Sequence, residues 1–520
     1  MAGLQKPPVS IGGDKEPVLK RTAGGADLTA DNQKFKKQRK KNRKQKEVVF
    51  ETTSPDGYLT FDVIELRKAL DIAVDVKRSD DGTKFLLGPM GLPEFREVEV
   101  KIMRLSSTGD GVGVHEGMEG EKEIVVVPFA LPGDVVTAKI YKKLASHSMA
   151  DFVRLVSAGD SRDDSLVRCK YFSKCAGCQL QMMPYADQLQ HKREVILRAY
   201  ANFCDVAAGI LPEIGNTIGS PLEYGYRTKL TPHFDVPRRG HVPNETPIGF
   251  TQKGRSFVLD IEECPIGTPA INEAYKSERT KVSEKIQTYK RGATLLFRES
   301  VFKDEGGVLK NSVCLDSKDI VTDYVNEYTF RYPAGDFFQC NSSVLPQVTE
   351  FVNSQLQMEY VNPEGTSLAP KHLVDAYCGS GLFSIACSKS VEEVIGVEIS
   401  ANSVKWATEN AKDNAILNAQ FVLGDAAVIF KKIRTPAKET SMILDPPRKG
   451  CDDNFLNQLL DYQPRRIVYV SCNVHTQARD LKYILTDPRG LKYTVDSIRG
   501  FDFFPQTHHV ESVAVLTYHE

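Results

Sequence analysis

Residues 374–384 read VDAYCGSGLFS, and this segment is the strongest indicator of architecture in the chain. An apolar run is followed by a Gly-x-Gly turn and by residues that can begin a helix. Glycines at such a turn let the backbone close around a cofactor at the carboxyl end of the first strand of a parallel sheet. Ser384 replaces the third glycine of the dinucleotide fingerprint, and Asp375 would repel a pyrophosphate. The turn therefore predicts a nucleoside-containing cofactor and disfavours NAD.

Two later segments extend this pattern towards the C-terminus. Residues 393–397 form an apolar run that ends at Glu398, whose carboxylate is placed to accept hydrogen bonds from ribose hydroxyls. Residues 421–423 lead to Asp425, where a side chain can meet an adenine edge. A cationic ligand without phosphates suits these acids, so the pattern predicts S-adenosylmethionine. A generic turn between a strand and a helix is the alternative.

The next two strand ends carry groups that suit chemistry on a pyrimidine. Residues 443–448 read ILDPPR, and residues 467–473 read IVYVSCN, so Asp445 and Cys472 reach the same sheet edge. Glu511 stands directly before the closing strand at 512–518. A thiolate that adds to C6 of uracil makes C5 nucleophilic towards a methyl group, and a general base then removes the C5 proton. We predict Cys472 as the nucleophile and Glu511 as the base.

In this interpretation Asp445 hydrogen-bonds the uracil edge and helps to hold the enolate. The target carbon lies within a stacked base, so the nucleotide must be turned out of the stack. Methylation of an exocyclic amine is disfavoured because Arg448 stands where an aromatic residue is expected after Asp-Pro-Pro. Cytosine-C5 methylation uses a similar thiol, but in Thr-Cys or Pro-Cys contexts. The plain alternatives are a packing role for Cys472 and a surface position for Glu511.

A separate group of cysteines lies in the middle of the chain. Cys169, Cys175 and Cys178 follow a C-x5-C-x2-C spacing, and Cys264 comes much later. Four thiolates can hold a 4Fe-4S cluster or a tetrahedral zinc ion. Three packing cysteines with an unrelated fourth remain possible. The 11 cysteines of the chain are an odd number, which favours reduced thiols over a disulfide framework.

The net charge of −1 over 520 residues hides an uneven distribution. Residues 1–46 carry 13 lysines and arginines against 4 aspartates and glutamates. Their run KFKKQRKKNRKQK at 34–46 permits a nuclear address, an electrostatic grip on RNA or a solvated tail. No apolar run reaches the ~18 residues of a membrane span, and the N-terminus lacks the apolar core of a secretory signal. We expect a cytoplasmic or nuclear protein.

Short alternating strands follow at residues 97–141, separated by turns at 109–111 and 132–134. Val98, Val100 and Ile102 point to one face, which predicts a small β-barrel. A helix is predicted around 189–203, because Leu189, Ile196, Tyr200 and Phe203 recur at helical spacing. Strands are predicted at 224–232, 249–260 and 293–298, and Tyr226, Arg227 and Lys229 on the first of these could contact RNA.

Together these motifs resemble the S-adenosylmethionine-dependent RNA uracil-C5 methyltransferases. The resemblance runs from residue 97 to the C-terminus and rests on the segments 337–341 (FFQCN), 375–379 (DAYCG), 445–448 (DPPR), 471–473 (SCN) and 504–511 (FPQTHHVE), with Glu398. It implies a cofactor site lined by Gln339, Tyr377, Glu398 and Asp445, to which we add Asp425. It also implies Cys472 as nucleophile and Glu511 as proton acceptor. A subgroup of this family has the same cysteine pattern and binds a 4Fe-4S cluster, which favours iron–sulfur over zinc.

The resemblance implies an α/β protein in three folded parts. A Rossmann-like class I methyltransferase domain is expected at 331–520, an OB-like TRAM barrel at 95–160, and a central α+β iron–sulfur domain that contacts RNA at 165–330. Residues 1–47 are expected to be a disordered basic arm, and residues 48–94 a connecting segment.

The implied activity is methylation of a uridine in structured RNA, most specifically the T-loop uridine of tRNA, to give 5-methyluridine. The same chemistry on ribosomal RNA is the first alternative. A non-catalytic iron–sulfur RNA-binding or chaperone protein is the alternative of another class, although Cys472, Glu511 and Glu398 would then have no role. RNA is the expected partner, and neither a membrane nor an obligate protein partner is expected.

Overall fold

The protein is described from a computed structural model of the chain. The structure describes residues 47–519 apart from 75, 90–94, 237–242, 244, 362–364, 366, 425–429, 431 and 432. The basic run at 34–46 and the candidate cofactor residue Asp425 lie outside these described residues, so both stay predictions. Among the described residues, every helix is too short or too polar to traverse a lipid bilayer.

The helices are α1 (Pro55–Ala69), α2 (Tyr185–Phe203), α3 (Pro269–Glu284), α4 (Leu345–Leu356), α5 (Leu382–Ala386), α6 (Ala401–Asp413), α7 (Asp453–Tyr462) and α8 (Val474–Thr486). The strands up to residue 333 are β1 (Glu47–Glu51), β2 (Lys77–Arg78), β3 (Lys84–Pro89), β4 (Glu97–Leu105), β5 (Gly111–Glu116), β6 (Lys122–Val127), β7 (Val135–Lys143), β8 (Ser148–Ser157), β9 (Ile214–Ile218), β10 (Lys229–Leu230), β11 (His233–Phe234), β12 (Gly249–Thr251), β13 (Val258–Asp260), β14 (Ala293–Thr294), β15 (Phe297–Lys303), β16 (Leu309–Cys314), β17 (Ile320–Val325) and β18 (Tyr328–Pro333). The later strands are β19 (Tyr360–Val361), β20 (Ser367–Leu368), β21 (His372–Ala376), β22 (Glu393–Glu398), β23 (Ala419–Leu423), β24 (Thr440–Leu444), β25 (Arg466–Ser471), β26 (Tyr493–Phe501) and β27 (Glu511–Tyr518).

Strands β4 to β8 close into a barrel in the order β4-β5-β6-β8-β7. On β4 the buried and exposed positions alternate, and Val98, Val100 and Ile102 fill the interior. This alternation is the one that the sequence predicts, because successive side chains of a strand point to opposite faces. The predicted barrel is therefore confirmed.

The C-terminal part is built on an eight-stranded sheet in the order β23-β22-β21-β24-β25-β27-β26-β9. The first five strands in this order pair in parallel, and β27 pairs antiparallel with both β25 and β26. Strand β9 belongs to the central part of the chain, yet it pairs in parallel with β26. The central segment therefore completes the edge of the catalytic sheet, which local sequence patterns did not predict.

Both faces of this sheet are covered by helices. Alternate residues of the buried strands enter two separate apolar clusters, as Val374 and Leu373 on β21 illustrate. The cluster of Val374 includes residues of α2, α7 and α8, whereas that of Leu373 includes residues of α4 and α5. This three-layer arrangement is that of the predicted class I methyltransferase domain.

Residues 47–89 contain α1 and the three strands β1 to β3, and all of them except Glu47 fall within the connection predicted at 48–94. Helix α1 packs Leu59, Val63 and Leu66 into one apolar cluster with residues of β5 and β6 of the barrel. Phe61, on the same helix, packs edge-on against Phe203 at the end of α2. This N-terminal element therefore joins the barrel to the catalytic part of the chain.

The central segment holds α2, α3 and short antiparallel sheets. Ile196, Tyr200 and Phe203 are buried on α2 as predicted, whereas Leu189 is only half-buried. The strand predicted at 224–232 is wrong for most of its length, since only β10 is a strand there. Its backbone instead bonds two different segments, with the Arg227 amide donating to Ile266 and the Thr228 amide donating to Cys340.

Candidate active site

The predicted site residues lie side by side at one end of the strands of the eight-stranded sheet. Glu398 ends β22, Tyr377 follows β21, Asp445 follows β24, Cys472 follows β25 and Glu511 begins β27. These five strands are consecutive neighbours in the sheet, in the order β22-β21-β24-β25-β27. Neighbouring strands lie ~4.8 Å apart, so the acid that suits a ribose and the thiol are separated by about three strand spacings.

All of these residues, with Gln339, line one cavity of about 610 Å³, which we call the methyl-transfer cavity. Its volume falls within the range of small-molecule sites. The structure therefore brings together every predicted catalytic and cofactor residue that it describes. Their roles stay predictions, because proximity alone does not assign a role.

The thiol and the candidate base are brought to adjacent strand ends by the pairing of two strands. Ser471 of β25 pairs with Ser512 of β27 in an antiparallel ladder. Cys472 directly follows β25 and Glu511 is the residue before Ser512, so the two stand beside the last pair of this ladder. Because the pairing fixes this arrangement, neither residue needs a ligand to bring it into place.

Both groups are neutral in the free protein at neutral pH. Burial, with the nearby carboxyl groups of Glu511 and Asp445, raises the pKa of Cys472 to about 12. Burial and Asp445 raise the pKa of Glu511 to about 8, and the Arg448 guanidinium acts in the opposite direction on both. Cys472 is half-buried at the cavity, and desolvation disfavours its thiolate form in the free protein.

Glu398 has the geometry to bind a ribose. Its Oε2 accepts the Gly379 amide at 3.2 Å, and its Oε1 accepts the Ser400 amide at 2.9 Å. A carboxylate offers about four lone-pair sites, so two remain for hydroxyl donors. The Gly379 bond also ties the acid to the Gly-x-Gly turn, where Gly381 adopts φ 92°. Only glycine adopts that conformation readily.

The rest of this end of the cavity fits a cationic nucleoside. Asp375 is buried, accepts a hydrogen bond from Ser384 Oγ at 2.6 Å through Oδ2, and leaves Oδ1 without a partner. Burial raises its pKa to about 7. The side chains of Phe337 and Ile399 are 81% and 68% exposed at the cavity. Apolar surface beside unpaired carboxylate oxygen fits an adenosyl group with a positive charge, as in S-adenosylmethionine.

Residues 502–510, the loop that leads into Glu511, are held by the central part of the chain. The Gln506 carbonyl accepts the amides of Gln179 at 2.9 Å and Leu180 at 3.1 Å. The Gln188 side chain bonds both the amide and the side chain of Gln506. Gln506 adopts φ 70°, a left-handed conformation that costs a non-glycine residue about 1–3 kcal/mol. The contacts with Gln179, Leu180 and Gln188 stabilise this strained turn.

A buried ion pair fixes the start of the same loop. Lys192 Nζ lies 2.5 Å from Asp502 Oδ1, both side chains have no exposed surface, and Lys192 also donates to the Phe504 carbonyl at 3.0 Å. Burial lowers the pKa of Lys192 while Asp502 opposes that shift. The sequence analysis missed this pair. Its signal is a lysine between Leu189 and Ile196 on the apolar face of α2, because lysines are rarely buried unpaired.

Tyr226 is another such contact, and its predicted RNA-facing position is wrong. The side chain is 2% exposed, and its hydroxyl donates to the Pro505 carbonyl at 3.1 Å. Asn341, from the FFQCN segment, donates to the Phe503 carbonyl at 3.1 Å. The loop that precedes Glu511 is thus bonded to three separate parts of the chain.

Cys169, Cys175, Cys178 and Cys264 line a second cavity of about 310 Å³, which we call the cysteine cavity. Burial raises the pKa of each of these thiols. Four thiols that line one cavity are candidate ligands of a thiolate-bound group, and any such group must displace their protons. Nevertheless, no three metal-binding side chains among the described residues are grouped closely enough to hold one metal ion. The predicted cluster therefore stays a prediction.

Comparison with known proteins adds evidence at the level of the family. Residues 270–519 match the family model described as tRNA (Uracil-5-)-methyltransferase, and residues 93–148 match the TRAM domain. A tRNA (uracil(54)-C(5))-methyltransferase of Schizosaccharomyces pombe is 50% identical over 84% of this chain and 80% of its own length. The protein of the same name from Saccharomyces cerevisiae is 42% identical over 96% of this chain and 87% of its own length.

Among solved structures, the Pyrococcus abyssi tRNA (uracil-54, C5)-methyltransferase in complex with S-adenosyl-L-homocysteine matches 81% of this chain and 100% of its own. Its TM-score is 0.58 at 23% identity, so this likeness concerns the fold. The two yeast relatives carry the stronger argument, since their identity extends over most of both chains. The chain belongs to the tRNA (uracil-5-)-methyltransferase family.

Proposed function

We propose that this protein transfers a methyl group from S-adenosylmethionine to C5 of uridine 54 in tRNA, as the names of its two yeast relatives state for those proteins. The observation that carries the chemistry is the pairing of β25 with β27, which brings Cys472 and Glu511 to adjacent strand ends at the methyl-transfer cavity. A thiol and an acid on adjacent strand ends can reach neighbouring atoms of one ring. S-adenosylmethionine, when bound, supplies a methyl group on a cationic sulfur.

The residues of the chain then have a balanced set of roles. Cys472 adds to C6 as its proton passes to Asp445, whose pKa is raised by burial to about 7 so that it is partly ionised near neutral pH. Protonated Asp445 can donate a hydrogen bond to the enolate oxygen of the uracil. Glu511 acts in its ionised form, so its carboxyl proton is released to solvent before the C5 proton is transferred. After C5 is methylated, the Glu511 carboxylate accepts the C5 proton, the bond between sulfur and C6 breaks, and Asp445 returns a proton to the thiolate.

The role of Glu511 predicts a specific trapped species. Glu511→Gln retains a side chain of similar shape that cannot accept the C5 proton, so methylation proceeds and elimination stalls. We expect a covalent protein–RNA adduct that survives a denaturing gel with unmodified tRNA. A variant that binds tRNA and forms no adduct would exclude Glu511 as the base.

The substrate is tested by methyl transfer to defined RNAs. Tritiated S-adenosylmethionine is incubated with an unmodified tRNA transcript, the same transcript with cytidine at position 54, and ribosomal RNA. We expect labelled 5-methyluridine from the first RNA alone. Label in ribosomal RNA instead would favour the first alternative. Binding of the cofactor without label in any RNA would favour the non-catalytic alternative.

The cysteine cavity supports a second proposal, that Cys169, Cys175, Cys178 and Cys264 hold a 4Fe-4S cluster. The four thiols, from two loops, line one cavity, and burial keeps them neutral there without a ligand. Anaerobic purification should give absorbance at about 400 nm and about four irons per chain. Cys178→Ser should lose both, whereas Cys314→Ser, a half-buried cysteine outside this cavity, should retain both. Stoichiometric zinc without iron would contradict the proposal.

A further inference from the structure

The N-terminal element reaches the active site through one aromatic side chain. Tyr58 of α1 lies flat on His475, with ring centroids 3.9 Å apart and an angle of 6° between the rings. His475 stands three residues beyond Cys472 in the first turn of α8. Residue 58 lies outside both segments that match family models, 93–148 and 270–519. The contact therefore brings a residue from outside both matched segments to the active site.

This tyrosine is held in place by the rest of its helix. Another face of α1 is anchored by Leu59, Val63 and Leu66, which pack against the barrel. Asp62 of the same helix accepts the Ser107 amide at 2.6 Å and lies 3.5 Å from the Arg198 guanidinium. Since these contacts fix α1 to the barrel and to α2, the Tyr58 ring is positioned before any ligand binds.

Tyr58 and Cys472 line the same small cleft, of about 60 Å³, which we call the Tyr58 cleft. Arg448 and Cys472 line both this cleft and the methyl-transfer cavity, so the two spaces meet at the thiol.

The polar groups of the cleft suit an anion. The exposed Arg448 guanidinium forms no ion pair or hydrogen bond with any residue that the structure describes, and the Tyr58 hydroxyl donates to none of them. Burial raises the pKa of Tyr58 to about 12, which keeps the hydroxyl a donor. Burial also lowers the pKa of His475 to about 3 and that of His509 to about 4, so these rings are neutral. Arg448 is thus the cation of the cleft.

We propose that Tyr58 and Arg448 bind a phosphate of the RNA backbone beside the uridine that Cys472 attacks. This inference rests on the proposed function, since it places the backbone of the same nucleotide that enters the methyl-transfer cavity. A base turned out of its stack carries its own phosphates to the mouth of the pocket, within reach of the thiol. Arginine and tyrosine side chains are common donors to such phosphates, and these contacts position the nucleic acid.

Tyr58→Phe is the decisive variant, because it keeps the ring on His475 and removes only the hydroxyl. Its matched control is Tyr518→Phe. Tyr518 is also half-buried against one aromatic ring, Tyr493, but it ends the strand that Glu511 begins, about 23 Å away at 3.3 Å per residue. Steady-state kinetics with a tRNA transcript, cofactor affinity and melting temperature are measured for each.

We expect Tyr58→Phe to raise KM for tRNA about tenfold, the scale of one hydrogen bond to a charged group, with kcat at saturating tRNA within twofold. Cofactor affinity and melting temperature should match those of wild type and of Tyr518→Phe. Arg448→Gln should reduce the slope of log affinity for tRNA against log salt by about one, as for one lost phosphate contact.

A Tyr58→Phe variant with the KM of wild type, in a preparation whose wild type makes 5-methyluridine, would overturn this inference alone. An unchanged salt slope for Arg448→Gln would also overturn it. Failure of the wild type to methylate any RNA would instead count against the proposed function. The two failures are therefore distinguishable in one set of assays.

Discussion

The two cavities of this protein hold similar chemical groups on different kinds of support. In the methyl-transfer cavity, Cys472 and Glu511 stand at the ends of paired strands of one sheet. In the cysteine cavity, the four thiols come from loops around residues 169–178 and 264, outside any helix or strand. Burial keeps the thiols of both cavities neutral without a ligand. The arrangement of the catalytic residues is thus fixed by backbone pairing. The arrangement of the four cysteines depends instead on the contacts between their loops.

The two cavities are connected by backbone hydrogen bonds at Gln506. Gln179 directly follows Cys178, and its amide donates to the Gln506 carbonyl at 2.9 Å. Gln506 in turn lies five residues before Glu511 on the loop at 502–510. We therefore expect substitutions of the functional residues at the strand ends to abolish methyl transfer. Substitutions of the residues that bond the loop at 502–510 should mainly lower stability.

The largest effect is expected at the thiol. Cys472→Ala removes the nucleophile without changing the register of β25 and β27, so we expect methyl transfer to fall by more than about 10³-fold. Cofactor affinity should stay within severalfold, because Glu398 and the glycine turn are untouched. Cys314→Ala, on a strand outside both cavities, is the control. Substantial transfer by Cys472→Ala, measured with tritiated cofactor, would refute the assignment.

A smaller effect on chemistry and a large one on stability are expected at Lys192. Lys192→Met leaves the Asp502 carboxylate buried without its cation, which costs about 3–5 kcal/mol of the free energy of unfolding. Lys389→Met breaks an ion pair with Glu327 whose side chains are both mostly exposed, and should cost ~1 kcal/mol or less. Urea unfolding measures both. Equal losses in the two variants would show that the buried pair does not support the loop.

The smallest effect, counted per pH unit, is a pH dependence of stability at Glu511. Folding raises its pKa from 4.5 to about 8, so the stability that the neutral carboxyl contributes is complete below pH 4.5 and is lost as pH rises towards 8. Glu511→Gln has no such loss. Relative to wild type, the free energy of unfolding of Glu511→Gln should therefore rise by about 1.4 kcal/mol for each pH unit across this window.

The exposed Glu350 on α4 offers the control for that comparison. Glu350→Gln should differ from wild type by ~0.5 kcal/mol or less at each pH. A constant difference between Glu511→Gln and wild type from pH 5 to pH 8 would contradict the raised pKa of Glu511.

The sequence predicted the catalytic sheet well because its strands are buried and its functional residues stand at their ends. Glu398 ends β22, Cys472 follows β25 and Glu511 opens β27, each within one residue of the predicted position. A buried apolar run and the polar residue that ends it are local features, so a single sequence contains them. The alternation in β4 is equally local.

The missed features all join distant parts of the chain. Lys192 and Asp502 are 310 residues apart, and β9 pairs with β26 across a similar separation. No periodicity connects such positions, although a lysine on an apolar helix face is a warning of a buried partner. Tyr58 was missed because residues 48–94 show no pattern that marks them as part of a site. Of these contacts, the Lys192–Asp502 pair holds the start of the loop before Glu511.

The most direct test of the central claim uses tRNA transcribed with 5-fluorouridine. Fluorine at C5 cannot leave as a proton, so the bond between the enzyme and C6 should persist after methyl transfer. We predict a stoichiometric covalent adduct with the wild-type protein in the presence of S-adenosylmethionine, and a digest that maps the RNA to the peptide containing Cys472. An adduct on another cysteine, or no adduct in a preparation that methylates ordinary tRNA, would contradict the account.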